Sequence, residues 1–240
     1  MAIIPGHVLT SFNAEGAPLQ PLGPAWDNGV RCGTIAIGSA PSHTKWSAGV
    51  REKLHVEGLR IARPVRSFDG RLVVGGYRAS DFIDGLPQAR IDEAVAAALR
   101  LDDALAEAKV EVPRLDNDTV FARADRAVWE EHTVGPHGQA VHMDFLGTCV
   151  FSGSLPPAIT DIVPPVFPRP RGFSAALVLI DGLLAGAVDE GVLERWSHVP
   201  DIGFLCERAL DYREMVAVQL GNTKSNESSI FESVRALLVS

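Results

Sequence analysis

Apolar positions recur along this chain in two rhythms, and the rhythm changes near residue 86. Before it, short apolar runs are punctuated by Gly, Pro, Asn and Asp. Residues 1–20, with Gly6, Gly16 and Pro18, read as an arm or a first edge strand. Leu59 to Arg66 and Arg71 to Arg78 read as two strands of a hairpin joined by Ser67-Phe-Asp-Gly70. Thr34-Ile-Ala-Ile37 is a further strand, entered through the glycine-rich stretch from Leu22 to Gly33. Within that stretch Asp27-Asn28-Gly29 is a hairpin turn in its own right. Lys45 to Leu54 places Trp46, Val50 and Leu54 at i, i+4 and i+8, which predicts one amphipathic helix.

After residue 86 the period lengthens to that of a helix. Arg90 to Ala108 sets Ile91, Val95, Ala98 and Leu105 on one face with alanine elsewhere, the clearest helix in the chain. Phe121 to His132 reads as a shorter one. Ile162 to Arg171 holds four prolines and cannot be regular structure. Phe173 to Val188 is apolar on every side except at Asp181, which predicts a buried helix whose aspartate needs partners. Further helix is predicted over Val192 to His198 and Ile202 to Leu220. A polar break follows at Gly221 to Ser229, and a short amphipathic helix closes the chain at Ile230 to Val239. The pattern is that of an α+β protein in two parts. A mainly antiparallel sheet with one helix occupies 1–86, and a mostly helical part occupies 87–240.

Charge removes several function classes. The formal net charge of −8 disfavours nucleic acid as the main partner, because phosphate backbones call for a basic face. The most apolar run is interrupted by Asp181 and too short to span a bilayer, and the opening residues lack a basic, then apolar, leader pattern. Three cysteines, Cys32, Cys149 and Cys206, read as reduced thiols of a cytoplasmic protein. With the seven histidines they show no paired zinc-ligand spacing.

Candidate chemistry gathers in Val141 to Asp161, VHMDFLGTCVFSGSLPPAITD. A His-x-Asp turn, His142-Met143-Asp144, precedes Cys149 by a fixed step, and a short apolar approach, Ala158-Ile159-Thr160, ends in Asp161. This stretch resembles the catalytic loop and metal aspartate of the aminoglycoside phosphotransferase and protein-kinase-like superfamily, which read roughly H-G-D-L-x-x-x-N and I-D-[FW]. The likeness is strongest over 139–164 and extends over most of the chain at lower specificity. It resembles in particular actinobacterial members of that superfamily with no assigned activity.

The resemblance implies a two-lobed protein-kinase-like fold with the nucleotide held by the first lobe. It implies ATP and Mg²⁺ as cofactors and a small-molecule hydroxyl as acceptor. Asp144 would orient the acceptor hydroxyl as base, His142 would brace the loop, and Asp161 would hold Mg²⁺. Gly23, Asn28 and Gly29 would cover phosphates with backbone N–H groups, aided by Arg31. Glu52 would be the helix carboxylate that meets a strand lysine, Asp181 would hold the catalytic-loop backbone, and Arg169 and Arg171 would meet an acid or phosphate. The chain departs from the pattern twice. Cys149 stands where an Asn amide would ligate Mg²⁺, and a thiol is too soft for that ion. No cation stands in the strand after Thr34, with Lys45 and Arg31 the nearest substitutes. Two readings follow: a phosphotransferase with a degenerate site, or a catalytically inactive kinase-like binding or regulatory protein. Each expects a small molecule or nucleotide as partner.

Overall fold

The computed structural model describes residues 4–116, 118–132, 134–135, 137–221 and 225–239. The chain divides into two compact units, 1–88 with 147–163, and 89–146 with 164–240. Residues 147–163 thus return to the first unit, a re-entry that a change of apolar rhythm near residue 86 does not disclose.

The first unit begins with helix α1 (Gly6–Ser11), where an arm or strand was expected. Val8 and Phe12, on one side of this turn of helix, are buried against Val30, Cys32, Ile37, Val74 and Ala79. Burial of that face fixes the segment as helix. Five strands follow in one antiparallel sheet: β1 (Leu19–Pro21), β2 (Val30–Cys32), β3 (Ile35–Ser39), β5 (Pro64–Val65) and β6 (Tyr77–Asp81), in the order β1-β2-β3-β6-β5. Between β3 and β5 come helix α2 (Thr44–Lys53) and strand β4 (Arg60–Ile61).

Of the expected hairpin, Pro64 pairs with Ser80 and Val65 with Ala79, so the second arm is shifted, and Arg60 and Ile61 of the first arm pair in a different sheet. Residues 71–74 do not continue the ladder, because Gly75 and Gly76 take left-handed conformations and make a second tight turn, closed by Val74 and Tyr77. Strand β4 pairs in parallel with β8 (Ala158–Ile159), and β8 pairs antiparallel with β7 (Cys149–Val150) in a small second sheet.

The second unit is helical: α3 (Ile91–Glu107), α4 (Val120–Val128), the first half of α5 (Phe145–Thr148), α6 (Phe173–Leu184), α7 (Val192–Arg195), α8 (Ile202–Gln219) and α9 (Ser225–Val239). Every residue from Phe173 to Ile180 is fully buried, which is why α6 is apolar all round. It packs on α3, α8 and α9. At Gly182 a side chain would press on Ile91, with a Cβ only 3.0 Å from two of its carbons, so glycine permits the approach of α6 to α3. Helix α6 stops four residues before the expected Val188. Gly186 is left-handed there, and the bonds from Ala187 N–H to Gly182 O (2.8 Å) and from Gly186 N–H to Leu183 O (3.0 Å) form a Schellman end. Helix α4 starts at a Thr119 cap, whose hydroxyl accepts from Ala122 N–H at 3.1 Å. Residues 225–229 of the expected polar break are helical, and its positions 222–224 lie outside the described residues. Among the described residues no helix is long and apolar enough to cross a membrane.

Candidate functional site

Asp161 follows β8 in the first unit and is 3 % exposed. Helix α2 approaches it with a polar stripe. Thr44, Ser47, Ala48 and Arg51 are the buried positions of that helix, whereas the expected apolar residues Trp46 and Val50 are only half-buried. The stripe at i, i+3, i+4 and i+7 is amphipathic spacing with polar residues turned inward. Polar groups tolerate such burial only when they are satisfied.

Thr44 donates its hydroxyl to Pro41 O at 2.7 Å, and Ser47 and Arg51 turn to Asp161. Its Oδ1 accepts from the Ser47 hydroxyl at 2.5 Å and from Ile162 N–H at 2.9 Å, with Arg51 Nε 3.6 Å away. Its Oδ2 accepts from Arg78 Nη1 and lies 3.0 Å from His43 Nε2. Arg51 is 1 % exposed and also donates to Ser47 Oγ, Ser80 Oγ and the carbonyls of Ala62 and Thr160. Arg78 reaches Asp27 with its other terminal nitrogen. Burial pushes the Asp161 carboxyl up. The His43 hydrogen bond and the charges of Arg78 and Arg51 more than offset this and hold it well below the usual carboxylate range.

A carboxylate offers about four lone-pair directions. Here Ser47, Ile162, Arg78 and His43 take them all. Mg²⁺ needs an oxygen lone pair at near 2.0–2.1 Å in octahedral geometry. The donor set around Asp161 is cationic or N–H and O–H throughout, so it does not fit a divalent metal. Among the described residues no group of three or more His, Cys, Asp or Glu could hold one.

The glycine-rich loop is turned on itself. Asp27 and Asn28 are both left-handed, the φ > 0 pair of a type I′ turn, closed by Gly29 N–H on Trp26 O at 2.9 Å. A Cβ at Gly29 would sit 2.4 Å from Ile37 O, so the glycine serves packing against β3. The N–H groups of Trp26, Asp27, Asn28 and Gly29 are each spent on a carbonyl of Gly23, Pro24, Gly23 and Trp26 respectively. Gly23 itself caps the short 3₁₀ turn Pro24–Trp26. Arg31, on β2, lies over the Phe82 ring at 4.1 Å and donates to Gly33 O, while Phe82 stacks on Trp26 at 5.5 Å between centroids. Cys149, on β7, is 1 % exposed and paired in register with Ile159. Glu52 meets Arg66, the residue after β5, in a two-pronged pair, where a strand lysine was expected.

His142 and Asp144 belong to the second unit. His142 is fully buried and packs on Phe145. Its N–H donates to Ser174 Oγ at 2.8 Å, and that hydroxyl donates to Asp102 Oδ1 at 2.5 Å. Asp102 Oδ2 accepts from Gly172 N–H at 2.9 Å. Complete burial lifts the Asp102 carboxyl to about 7, against the hydrogen bonds from Ser174 and Gly172. Asp144 N–H donates to His142 Nδ1 at 3.2 Å, which places the proton of a neutral ring on Nε2. The Asp144 side chain is 49 % exposed, with Arg213 Nη2 3.8 Å from Oδ1. Asp181 engages Arg213 through two bonds of 2.6 Å, and Ser174 is what holds the loop backbone at His142. Arg169 and Arg171, expected to meet an acid, find acids of the chain itself. Arg169 is buried on Asp125, with its closest contact at 2.7 Å, and Arg171 bonds Asp103 through two nitrogens.

The expected residues thus divide by unit: Gly23, Asn28, Gly29, Arg31, Cys149 and Asp161 in the first, His142 and Asp144 in the second. Sequence reading missed Arg51, Arg78, His43, Ser47 and Asp102. The inward polar stripe of α2 was the one local signal for two of them. No protein-family model matches the sequence, and no curated protein is significantly similar to it.

Proposed function

We propose that this chain is a kinase-like binding protein that does not transfer a phosphoryl group. The observation that carries this reading is the closed inventory around Asp161. In a phosphotransferase that aspartate keeps oxygen lone pairs for Mg²⁺, and here guanidinium, imidazole, hydroxyl and amide groups occupy them. Two further features support it. The loop over 22–29 spends four N–H groups on itself that would otherwise face phosphates, and a buried thiol at Cys149 offers no hard oxygen. The α+β order, a five-stranded antiparallel sheet followed by helices, agrees with the kinase-like part of the reading.

The half-exposed carboxylate of Asp144 is what a phosphotransferase would use as base, so activity is the test. Purified protein is incubated with γ-labelled ATP and Mg²⁺ together with a panel of small hydroxyl compounds, and its melting is followed with ATP, with and without Mg²⁺. The expected result is no transfer, and a melting temperature that responds to ATP equally in the presence and absence of Mg²⁺. Transfer that is lost in Asp144→Asn would overturn the reading.

A further inference from the structure

The second unit holds a cavity of about 900 Å³ whose lining includes Arg123, Arg126, Trp129, His132, Phe167 and Arg169. Its hydrogen-bonding groups are unbalanced. Arg123 spends Nε on Gln219 and Nη1 on Asp118, so both N–H bonds of Nη2 are without a partner among the described residues. His132 Nε2 lies 2.8 Å from Arg208 Nη1. A guanidinium only donates, so Nε2 accepts and the ring proton sits on Nδ1, where no described residue accepts it. Trp129 is 6 % exposed, and its indole nitrogen is out of reach of solvent and has no partner among the described residues. The two surplus groups open to solvent, on Arg123 and His132, are both donors.

Two carboxylates, Asp118 and Glu130, also line the cavity. Asp118 meets Arg123 at 3.1 Å and Arg126 at 3.3 Å and is 78 % exposed. The remaining surface is aromatic. Trp129 meets Phe173, Phe204 and His132 edge-on, Arg169 lies 5.0 Å over its ring, and Phe167 stands 57 % exposed at the cavity.

We infer that this cavity binds a small organic anion, a carboxylate or phosphate attached to a flat apolar ring. The anion supplies acceptors to Arg123 and His132, and the ring covers Phe167 beside Trp129. Hydrogen bonds to a charged group are the stronger kind. The site lies wholly in the second unit and does not depend on the reading of Asp161.

The test follows indole N–H resonances, with Trp129 assigned through Trp129→Phe, and measures affinity by calorimetry. Phenyl phosphate is the probe; inorganic phosphate and benzyl alcohol carry its two halves separately. Phenyl phosphate is expected to bind saturably and shift the Trp129 indole signal, with each half at least about tenfold weaker. Arg123→Gln, at a half-exposed position, should weaken phenyl phosphate by about tenfold at unchanged melting temperature. Phe167→Ala should weaken it while leaving inorganic phosphate as before. Absence of saturable binding, equal binding of benzyl alcohol, or an unchanged affinity in both variants would overturn the inference.

Discussion

Replacing Asp161 by Asn separates a structural hub from a metal ligand. The substitution keeps the shape and removes the charge. Arg51, 1 % exposed, then loses its buried counter-charge, and Arg78, with a side chain 12 % exposed, keeps only Asp27. The Asn amide must also point two N–H groups at one side of a shell made of donors: Arg78 and His43 on one oxygen, Ser47 and Ile162 N–H on the other. Breaking a buried pair by removing one partner costs about 3–5 kcal/mol, most of it the penalty of the stranded charge. The four other bonds of Arg51, to Ser47, Ser80 and the Ala62 and Thr160 carbonyls, favour the lower end. For a chain of 240 residues that corresponds to a melting temperature lower by roughly 6–20 °C. Urea unfolding of both forms at pH 7, followed by tryptophan fluorescence, reads it. An aspartate retained for a metal would lose little stability in metal-free buffer on becoming Asn. A loss below about 1 kcal/mol would therefore refute the hub assignment.

Other consequences are equally open to measurement. Asp102 has a folded pKa of about 7, raised from an unfolded value of 3.8. Its contribution to stability is thus fully present below the unfolded value and lost as pH rises through about 7, at roughly 1.4 kcal/mol per pH unit in between. Asp102→Asn should flatten the fall in unfolding free energy between pH 5 and 7, and an unaltered slope would show that Asp102 does not titrate in that window. Cys149→Asn, which the resemblance would make a gain of metal affinity, instead sets an amide in a core strand. It should cost about 1–3 kcal/mol in urea unfolding and leave ATP affinity indifferent to Mg²⁺. A Mg²⁺-dependent rise in affinity would restore the metal-site reading of that position.

What was legible in the sequence was whatever depends on spacing along one element. Helices α3, α6 and α8 follow from apolar period alone, and the wholly apolar face of α6 announced its burial. The antiparallel sheet was legible from turn residues, but the second arm of its hairpin was not, because Gly75 and Gly76 insert a turn that apolar alternation does not mark. The surroundings of Asp161 were invisible for a different reason. His43, Ser47 and Arg78 lie 118, 114 and 83 positions away from it, and only folding brings them together. A resemblance supplied a role for Asp161, and a resemblance concerns the motif and says nothing of the cations that face it. Asp181 shows the same limit. Its burial in α6 called for a partner, which proved to be Arg213 of α8.

Whether Asp161 is available to a divalent ion decides between a structural hub and a metal ligand. Mn²⁺ substitutes for Mg²⁺ at oxygen sites and gives a sharp paramagnetic resonance when free, which collapses on binding. The measurement is a titration of the whole protein with Mn²⁺ at pH 7, alone and with ATP, with protein-free ATP as the reference. The cation-filled shell of Asp161 predicts no loss of signal beyond that caused by ATP itself. Loss corresponding to one Mn²⁺ per chain, removed by Asp161→Asn, would contradict it.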